Sequence, residues 1–401
     1  MGTGSIQAAR RARGARRWLA ASGLAGALLV TGVTGTASAS DASAAGDAGW
    51  QTTPLPVPYA NLVAAGSIRG SDDVWATGFA MSENDRDPFQ GIALRWNGGS
   101  WEQTPVPIAG EDATGKVDSR IDSPVSGAAP DDAWAVGDMS YATADGYRGQ
   151  ALIEHWNGTS WQQTPGDVLP DGSGLYSLDA VSTDDVWAGG IIGGSAGLAH
   201  WDGHTWSAVT PSALDGLDPV SYVTGISGSS PDDVWAVGPV GLSIHYDGHD
   251  WKQVELPDVG GDEVWLEKVR TDPTFGTWAV GYHVGSDHVR RSLALHWSGS
   301  SWETVPVPQV DDTQLEDVAF TDDGPEAYGY VRGGAQPAGY GLRLPASPSG
   351  QATAVPIAVP TQATTLYGAI REPGGSHVWI VGAGVSDSPS IFPPFAAHST
   401  S

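Results

Sequence analysis

Thr183-Asp184-Asp185-Val186-Trp187-Ala188-Gly189-Gly190 is one copy of a block that recurs along the chain and decides the fold. Close copies stand at residues 71–78, 130–137 and 231–238, and weaker copies at 276–281, 322–329 and 377–382. The aromatic residue of the block returns at a mean spacing of about 51 residues, so seven copies fill the chain beyond its first fifty residues. This period predicts a repeat architecture in which each copy forms one small unit of secondary structure.

A second block follows the first in five of the copies. It reads Leu94-Arg95-Trp96-Asn97-Gly98-Gly99-Ser100-Trp101 in the first copy, and related stretches stand at residues 154–161, 200–206, 245–251 and 296–302. Two short aromatic runs joined by Asn-Gly or Asp-Gly predict a hairpin, because glycine tolerates the positive φ of a tight turn. Each unit is therefore expected to hold four antiparallel strands, and no helical periodicity competes with them.

The two ends of the repeat region complement each other. Trp50-Gln51-Thr52-Thr53-Pro54 matches the fourth strand Trp161-Gln162-Gln163-Thr164-Pro165, and Ala397-His398-Ser399 matches the stretch that precedes such a strand. The N-terminal strand is thus expected to complete the last unit, which removes an open sheet edge. Residues 50–401 are predicted to form an all-β, seven-bladed β-propeller of four-stranded antiparallel blades, with the ring closed by the N-terminal strand.

The repeats resemble those of secreted bacterial β-propellers of the broad BNR/Asp-box, kelch and WD40-like group. The turn Asp202-Gly203-His204-Thr205-Trp206 is similar to an Asp-box, although it lacks the residue between Asp and Gly and the upstream Ser. The Gly-His and Trp-Asp pairs of strict WD40 repeats and the kelch double-glycine pattern are missing. The resemblance implies the propeller fold and no particular enzyme family, since propellers serve many functions.

The first 39 residues have the pattern of a signal peptide. Five arginines lie between Arg10 and Arg17, an apolar stretch follows from Trp18 to Val33, and Ala37-Ser38-Ala39 suits a cleavage site. Arg16-Arg17-Trp18-Leu19 resembles a twin-arginine signal, so both general and twin-arginine export stay open. Residues 40–49 are expected to be a flexible leader, and the mature protein is expected to be secreted and extracellular.

Charge and composition exclude several classes of function. The chain has 46 acidic and 19 basic residues, for a net charge of −27, which disfavours nucleic acid as a partner. Cysteine is absent, so disulfides, thiolate metal sites and cysteine nucleophiles are excluded. We expect a monomer with no metal, no cofactor and no insertion in a membrane once the signal is removed.

Most of the conspicuous residues are expected to be structural. Sixteen of the eighteen tryptophans fall at repeat positions, all except Trp18 and Trp265, and are assigned to the core between blades. The second-strand members are Trp75, Trp134, Trp187, Trp235, Trp278 and Trp379. The aspartates of the first block are expected to fix the turn between strands one and two by accepting backbone N–H groups. Their second members are Asp73, Asp132, Asp185 and Asp233.

The histidines of the third strands are likewise expected to form structural hydrogen bonds. They are His155, His200, His245, His296 and His398, with Arg95 and Arg343 in the two other units. Residues on different blades are spread around a ring, so they cannot converge on one metal ion.

Function is expected where the repeats differ, in the connections between strands two and three and between blades. The leading interpretation is a non-catalytic binding module for a glycan or an extracellular protein. Its predicted ligand-binding residues are Tyr141, Tyr147, Arg148, His288, Arg290 and Arg291.

Two alternatives stay open. One is a glycoside hydrolase or polysaccharide lyase that uses loop carboxylates, for which the candidates are Asp85, Asp87, Asp145 and Asp262. The other is a protein-interaction scaffold without a small ligand. The Gly-x-Ser-x-Gly, His-Glu-x-x-His, P-loop and EF-hand motifs are all absent from the sequence, so no catalytic motif decides between them.

Overall fold

Strands account for the regular structure, apart from short 3₁₀ segments at Val168 and Ser212–Leu214, in the part of the chain that the computed structural model describes. That part comprises residues 49–82, 88–108, 117–143, 146–165, 168–218, 220–260, 263–332, 337–345, 349–357, 364–384 and 393–400, with the backbone alone at 142, 143, 146, 147 and 364. It belongs to one of the two units into which the chain divides, Ala45–Ser386 with Ile391–Ser401. None of its helices is long and apolar enough to cross a membrane.

Five sheets have four antiparallel strands each, and in four of them the strand order follows the chain. These four hold β11 (Gly174–Ser182), β12 (Asp185–Ile192), β13 (Ser195–Trp201) and β14 (Trp206–Val209); β15 (Gly225–Ser230), β16 (Asp233–Val237), β17 (Ser243–Tyr246) and β18 (Trp251–Gln253); β19 (Glu263–Asp272), β20 (Gly276–Val284), β21 (Arg290–Trp297) and β22 (Trp302–Thr304); and β23 (Thr313–Thr321), β24 (Gly324–Val331), β25 (Ala338–Arg343) and β26 (Thr353–Val355). The prediction of an all-β chain built from four-stranded antiparallel units is confirmed.

The fifth four-stranded sheet joins the two ends of the described chain. Its strands are β27 (Thr364–Arg371), β28 (Val378–Gly384), β29 (Pro394–Ser399) and β1 (Trp50–Thr52). In the β1–β29 pair, Trp50 lies opposite Ser399, and the Trp50 indole donates to the carbonyl oxygen of Pro356 at 3.1 Å. The strand that begins the repeat region is therefore the outer strand of the last sheet.

The first two repeats share one nine-stranded sheet. Its strands are β2 (Ala60–Ile68), β3 (Val74–Ala80), β4 (Gln90–Trp96), β5 (Trp101–Thr104), β6 (Val117–Ile121), β7 (Ser126–Ala129), β8 (Asp132–Thr143), β9 (Gly146–Trp156) and β10 (Trp161–Gln163). β2 and β7 pair in parallel, with Ser67 opposite Ser126. A Cβ at Gly66 would lie 2.2 Å from the Val125 carbonyl oxygen, so only glycine permits this approach. The connection between the first two repeats, residues 107–122, contains β6.

The predicted hairpins between third and fourth strands owe their shape to one side chain each. In the first repeat the Asn97 carboxamide oxygen accepts the backbone N–H groups of Gly99 and Ser100, both at 3.0 Å, while Gly98 adopts a φ of 88°. Asp202 does the same in the third repeat, accepting from His204 and Thr205. These turns place Trp96 opposite Trp101 and hold the register of the outer strands.

Aromatic pairs pack between neighbouring repeats. The second-strand tryptophans of six repeats are buried, with exposed fractions between 0 and 5%. In most repeats the second-strand aromatic residue meets the fourth-strand tryptophan of the next repeat edge to face, at 5.0–5.9 Å. The pairs are Trp75–Trp161, Trp134–Trp206, Trp187–Trp251, Trp235–Trp302, Tyr328–Trp50 and Trp379–Trp101.

The repeated aspartates bind side chains of the third strand, which the turn interpretation had not anticipated. In three repeats the second aspartate and a histidine Nε2 lie 2.7 Å apart, in the pairs Asp132–His155, Asp185–His200 and Asp233–His245. Each of these histidines also packs on the second-strand tryptophan, at 4.1–4.3 Å between ring centroids. In the first repeat Arg95 takes the place of histidine, 2.6 Å from Asp73. The register of the second and third strands explains the histidine contacts, because it puts Trp187 directly opposite His200.

Two sets of polar side chains connect the innermost strands. Asp179 of β11 accepts hydrogen bonds from Ser126 of the second repeat and from Ser227 and the Gly228 N–H of the fourth. Arg270 of β19 binds Asp317 of β23 through two hydrogen bonds, and Asp317 also accepts the N–H of Ala369 on β27. Side chains thus link inner strands that, apart from β2 and β7, share no ladder of backbone hydrogen bonds in the described residues.

Candidate functional site

Each innermost strand has an irregularity at the same place. In five repeats the pairing with the second strand skips one residue, which directly follows a fully buried leucine. Asp122 and Thr224 hold the same place in the second and fourth repeats. The Asp122 N–H donates to the carbonyl oxygen of Val136, and the next residue donates to the same oxygen. The Thr224 N–H donates to Val237, with which the next residue pairs in the ladder. A bulge turns its extra side chain away from the core face. We call this set the bulge belt: Val63, Asp122, Tyr176, Thr224, Glu267, Glu316 and Tyr367.

The belt lies in the half of each inner strand near the variable connections. In the fifth repeat Glu263 at the start of β19 pairs with Val284 at the end of β20. The connection 285–289 leaves from that end, and Glu267 follows four residues into β19. Apart from Thr224, which is 9% exposed, the belt residues are only partly buried. Polar and aromatic groups therefore face accessible space at the end of the sheets where the repeats differ most.

Glu267 and Glu316 are neighbouring carboxyls of the belt. Burial raises the pKa of Glu267 to about 7, although the charges of Lys268 and Arg290 oppose the shift. Burial and the charge of Glu267 raise the pKa of Glu316 to about 8. The Gln314 amide donates to Glu316. Near neutral pH the two carboxyls are therefore only partly ionised, and either can donate or accept a proton.

Tyrosines surround these two carboxyls. Tyr222 and Tyr282 interact electrostatically with both Glu267 and Glu316, as does Tyr330, whose ring meets that of Tyr367 at 6.0 Å. Burial raises the pKa of Tyr367 to about 12 and that of the other three still further. Their hydroxyls stay protonated and can donate hydrogen bonds at any physiological pH.

A second pair of carboxyls lies at the Asp122 position of the belt. Burial, the charge of Asp138 and a hydrogen bond to it raise the pKa of Asp122 well above its ordinary value. Burial also raises the pKa of Asp138, against the charge of Arg120. The belt continues from this pair to Tyr176, whose ring packs edge to face on Tyr222 at 5.5 Å. Tyr176 interacts electrostatically with the aspartate pair and Tyr222 with the glutamate pair, so this ring contact lies between the two acidic pairs.

Trp265 is the only tryptophan of the described residues outside the repeat positions, and it lies beside the belt. Its ring is parallel to that of Tyr282, with centroids 5.8 Å apart, and the Arg290 guanidinium lies 4.7 Å from the Tyr282 ring. Pro239 forms a bridge with Trp265, and the next residue, Val240, has a φ of 58° that β-branched residues avoid. The exception to the tryptophan pattern was visible in the sequence, but Trp265 was not assigned to a site.

The sequence-predicted ligand residues lie in two hairpins of different sheets. Tyr141 pairs with Arg148 across the β8–β9 hairpin, and Arg148 binds Asp171 at 2.6 Å. The side chain of Tyr147 lies outside the described residues. The structure therefore brings Tyr141 and Arg148 together in the second repeat.

The other predicted group lies in the fifth repeat. His288 is exposed in the turn between β20 and β21, with a φ of 61°. Arg291 is paired with Asp287 and Asp311, and Arg290 donates to Gln314 at 2.9 Å. Of the predicted residues, Arg290 is the one whose charge acts on the belt carboxyl Glu267.

The four carboxylates predicted for an enzyme cannot be placed. Asp85, Asp87, Asp145 and Asp262 all lie outside the described residues. Sequence analysis did not single out the belt carboxyls. Glu267 and Glu316 lie within inner strands, whereas functional acids were predicted in the loops.

No protein-family model and none of the curated proteins matches the sequence. Solved structures do match the fold. YCF48 bound to a D1 peptide has a TM-score of 0.53 at 14% identity, with 89% of this chain and 97% of the other covered. YCF48 from Cyanidioschyzon merolae has a TM-score of 0.52 at 14% identity, with 88% and 98% covered.

The WD40 β-propeller domain of Doa1 has a TM-score of 0.51 at 11% identity, with 88% of this chain and 98% of the other covered. At this level of identity the likeness concerns the fold alone. The chain is a β-propeller repeat protein, as its repeats predicted, without a match to a specific family.

Proposed function

We propose that this chain is an exported, non-catalytic binding module that engages a glycan or a protein segment at the bulge belt of a closed seven-bladed propeller. The signal-peptide pattern of residues 1–39 supports export, followed by a leader at 40–49 and the propeller at 50–401. The strong acidity of the chain suits an extracellular protein that does not bind nucleic acid.

Three contacts support seven blades and a closed ring. β1 pairs with β29, so the N-terminal strand completes the last sheet. Trp379 of the last repeat packs on Trp101 of the first in the same edge-to-face manner as the pairs between successive repeats. A Cβ on Gly368 of β27 would lie 2.4 Å from the Ala65 nitrogen of β2, which makes the last and first inner strands direct neighbours.

The observation that carries the proposed function is the contrast between the belt and the rest of the repeat. The central positions of the second strands hold tryptophan, alanine, glycine and other small or apolar residues that are buried. The belt holds two glutamates, an aspartate, two tyrosines and a threonine at the accessible end of the inner strands. Carboxyls and tyrosine hydroxyls together suit hydroxyl-rich or amide-rich ligands, which offer both donors and acceptors. Trp265 and Tyr282 add aromatic surface beside them.

A peptide ligand has a precedent among the similar folds, since the matching YCF48 structure holds a D1 peptide. A glycan remains the other ligand class that hydroxyl-binding carboxyls and aromatic rings suit. We therefore test the two classes side by side, with the mature chain 40–401 on a glycan array and on a peptide array. Saturable binding on either array supports the proposed function, and its absence on both contradicts it.

The site is tested with a double variant. Glu267→Gln with Glu316→Gln removes both ionisable carboxyls of the pair and keeps the shape of the side chains. Glu255→Gln with Glu303→Gln changes two exposed glutamates elsewhere and is the matched control. We expect the belt variant to bind any array hit at least about tenfold more weakly, which corresponds to one lost charge-assisted hydrogen bond. Equal binding by both variants would place the ligand elsewhere.

Hydrolysis is the second candidate, and the protonation of the belt carboxyls favours it. With the pKa of Glu267 at about 7 and that of Glu316 at about 8, one carboxyl can act as acid while the other acts as base near neutral pH. Each glycan hit is therefore incubated with the protein and assayed for released sugar. Release that disappears in the Glu267→Gln and Glu316→Gln variants makes the protein an enzyme, and binding without release leaves it a binding module.

A further inference from the structure

A cavity of about 170 Å³ lies between the innermost strands, next to the belt but separate from it. Its lining comes from inner strands of the first five repeats and the last, and includes Ser126, Ser177 and Ser227. The charged residues on its wall are Arg69, Asp179, Lys268 and Arg270. This space is large enough for several water molecules or one small ion.

Lys268 is buried in this wall without a direct ion-pair partner. It is 9% exposed, and within the described residues it forms no ion pair closer than 4.0 Å. Burial lowers its pKa, with Asp317 opposing the shift. An ammonium group that is shielded from water and not directly paired costs several kcal/mol unless another charged or polar group approaches it.

Arg69 is a second cation of the cavity with spare hydrogen-bonding capacity. It is exposed at the end of β2, and its Nη1 donates to the Val181 carbonyl oxygen at 2.8 Å. Among the described residues it has no carboxylate within ion-pair distance. It therefore marks the side from which solvent reaches the cavity.

The carboxylates near the cavity already have donors. Asp179 accepts from the Ser126 and Ser227 hydroxyls, both at 3.2 Å, and from the Gly228 N–H at 2.7 Å. Burial still raises the pKa of Asp179. Asp317 accepts two hydrogen bonds from Arg270. Of the three cations in the cavity wall, Lys268 and Arg69 form no ion pair with a described carboxylate, and Glu316 and Glu267 act on Lys268 only from beyond ion-pair distance.

We propose that this cavity binds a small oxyanion, of carboxylate or phosphate size, between the Lys268 ammonium and the guanidinium groups of Arg69 and Arg270. The anion supplies the direct ion pair that Lys268 lacks, and the Ser177 hydroxyl, which accepts the Ile226 N–H, can donate its own hydrogen bond to an anion oxygen. The site is local, since the chain as a whole is acidic and would not collect anions by its net charge.

The experiment is a titration of the mature chain 40–401 with sodium acetate, sodium phosphate and sodium sulfate, against sodium chloride at equal ionic strength. Binding is followed by calorimetry and by the rise of the melting temperature. Lys268→Met removes the buried ammonium and keeps the length of the side chain. Lys252→Met is the matched control, because Lys252 is exposed and paired with Asp247 on an outer strand.

We expect at least one of the three anions to bind saturably to the unchanged chain and to Lys252→Met, and about tenfold or more weakly to Lys268→Met. Acetate as the tighter ligand would indicate a carboxylate, and phosphate or sulfate a tetrahedral anion. Arg69→Gln at the cavity rim should also weaken binding without affecting the core. Binding that is unchanged in Lys268→Met, or no saturable binding by any anion, would overturn the proposal.

Discussion

Arg270 of the fifth repeat and Asp317 of the sixth form a bidentate ion pair, with nitrogen–oxygen distances of 2.9 and 2.8 Å. Arg270 also lies 3.5 Å from the carbonyl oxygen of Ala65 in the first repeat and 3.4 Å from that of Ala369 in the last. One side chain thus contacts three other repeats. Because most inner strands are not hydrogen-bonded to each other through the backbone, this pair does much to fix their relative positions.

Removal of the arginine should therefore be costly. Arg270→Met leaves the Asp317 side chain, 1% exposed, without its cation, and we expect the free energy of unfolding to fall by about 3–5 kcal/mol. Urea denaturation of the purified variants measures the change. Arg148→Met breaks an exposed pair with Asp171 and should cost much less, because solvent screens that pair. Equal losses in the two variants would show that the central pair does not support the fold.

Glu154 is predicted to lower the free energy of unfolding of the unmutated protein. It is fully buried, and neither carboxyl oxygen has a hydrogen-bond partner in the described residues. It lies opposite Ala135, at the place where the first, fifth and sixth repeats have Leu94, Leu295 and Leu342. We expect Glu154→Leu to raise the free energy of unfolding at pH 8 by roughly 2–4 kcal/mol.

The pH dependence of this gain has a definite sign. Burial raises the pKa of Glu154 from 4.5 to about 8, so the unfolded chain ionises first as the pH rises. The destabilisation by Glu154 should grow between pH 4.5 and 8 and stay constant above. Melting temperatures of the original chain and of Glu154→Leu should therefore diverge over this range. A constant difference between pH 5 and 8 would contradict the assignment, and Glu154→Gln separates the effect of charge from that of polarity.

Histidine and arginine should be exchangeable in the third strand. His200 lies 2.7 Å from Asp185, and Arg95 lies 2.6 Å from Asp73 at the same place in the first repeat. We expect His200→Arg to change the free energy of unfolding by less than about 0.5 kcal/mol, and His200→Leu to lower it by about 1–2 kcal/mol because Asp185 loses its donor. Thermal unfolding at pH 7 compares them. If His200→Leu were as stable as His200→Arg, the pair would have no structural role.

The N-terminal strand should be essential for a protected sheet edge. A chain that begins at Pro54 lacks β1, which exposes β29 and removes the contact between Trp50 and Tyr328. We expect a lower melting temperature and self-association in light scattering. A chain that begins at Gly49 removes only the leader and should behave like the longer protein. A monomeric and equally stable chain from Pro54 would argue against the proposed closure.

The strands were predictable because their signals are local. A hairpin such as Trp96 to Trp101 requires only its own turn residues, and the burial of Trp187 follows from its repeat position. The bulge belt could not be predicted, since a skipped residue such as Glu267 depends on its pairing with another strand. The repeats indicated that both the aspartates and the histidines are structural, but only the strand register showed that Asp185 and His200 are partners.

The same limit applies to the first two repeats. Their parallel contact between Ser67 and Ser126 requires glycine at position 66, and one glycine among 55 has no special mark in the sequence. The search for function in variable loops led to Arg290 but not to Glu316, because Glu316 lies inside a regular repeat. Candidate site residues within a repeat become visible only when the strand pairing of the repeats is compared.

The pairing of β1 with β29 also sets the order of events during synthesis. Thr53 hydrogen-bonds to Ala396, a residue 343 positions away, so this contact cannot form until almost the whole chain has left the ribosome. Contacts between residues so far apart in the sequence form slowly, because the chain loses the entropy of loop closure before the contact stabilises it. Until then Trp50 and the first strand have no partner, and this exposed strand is a place where an incomplete chain can associate with other chains.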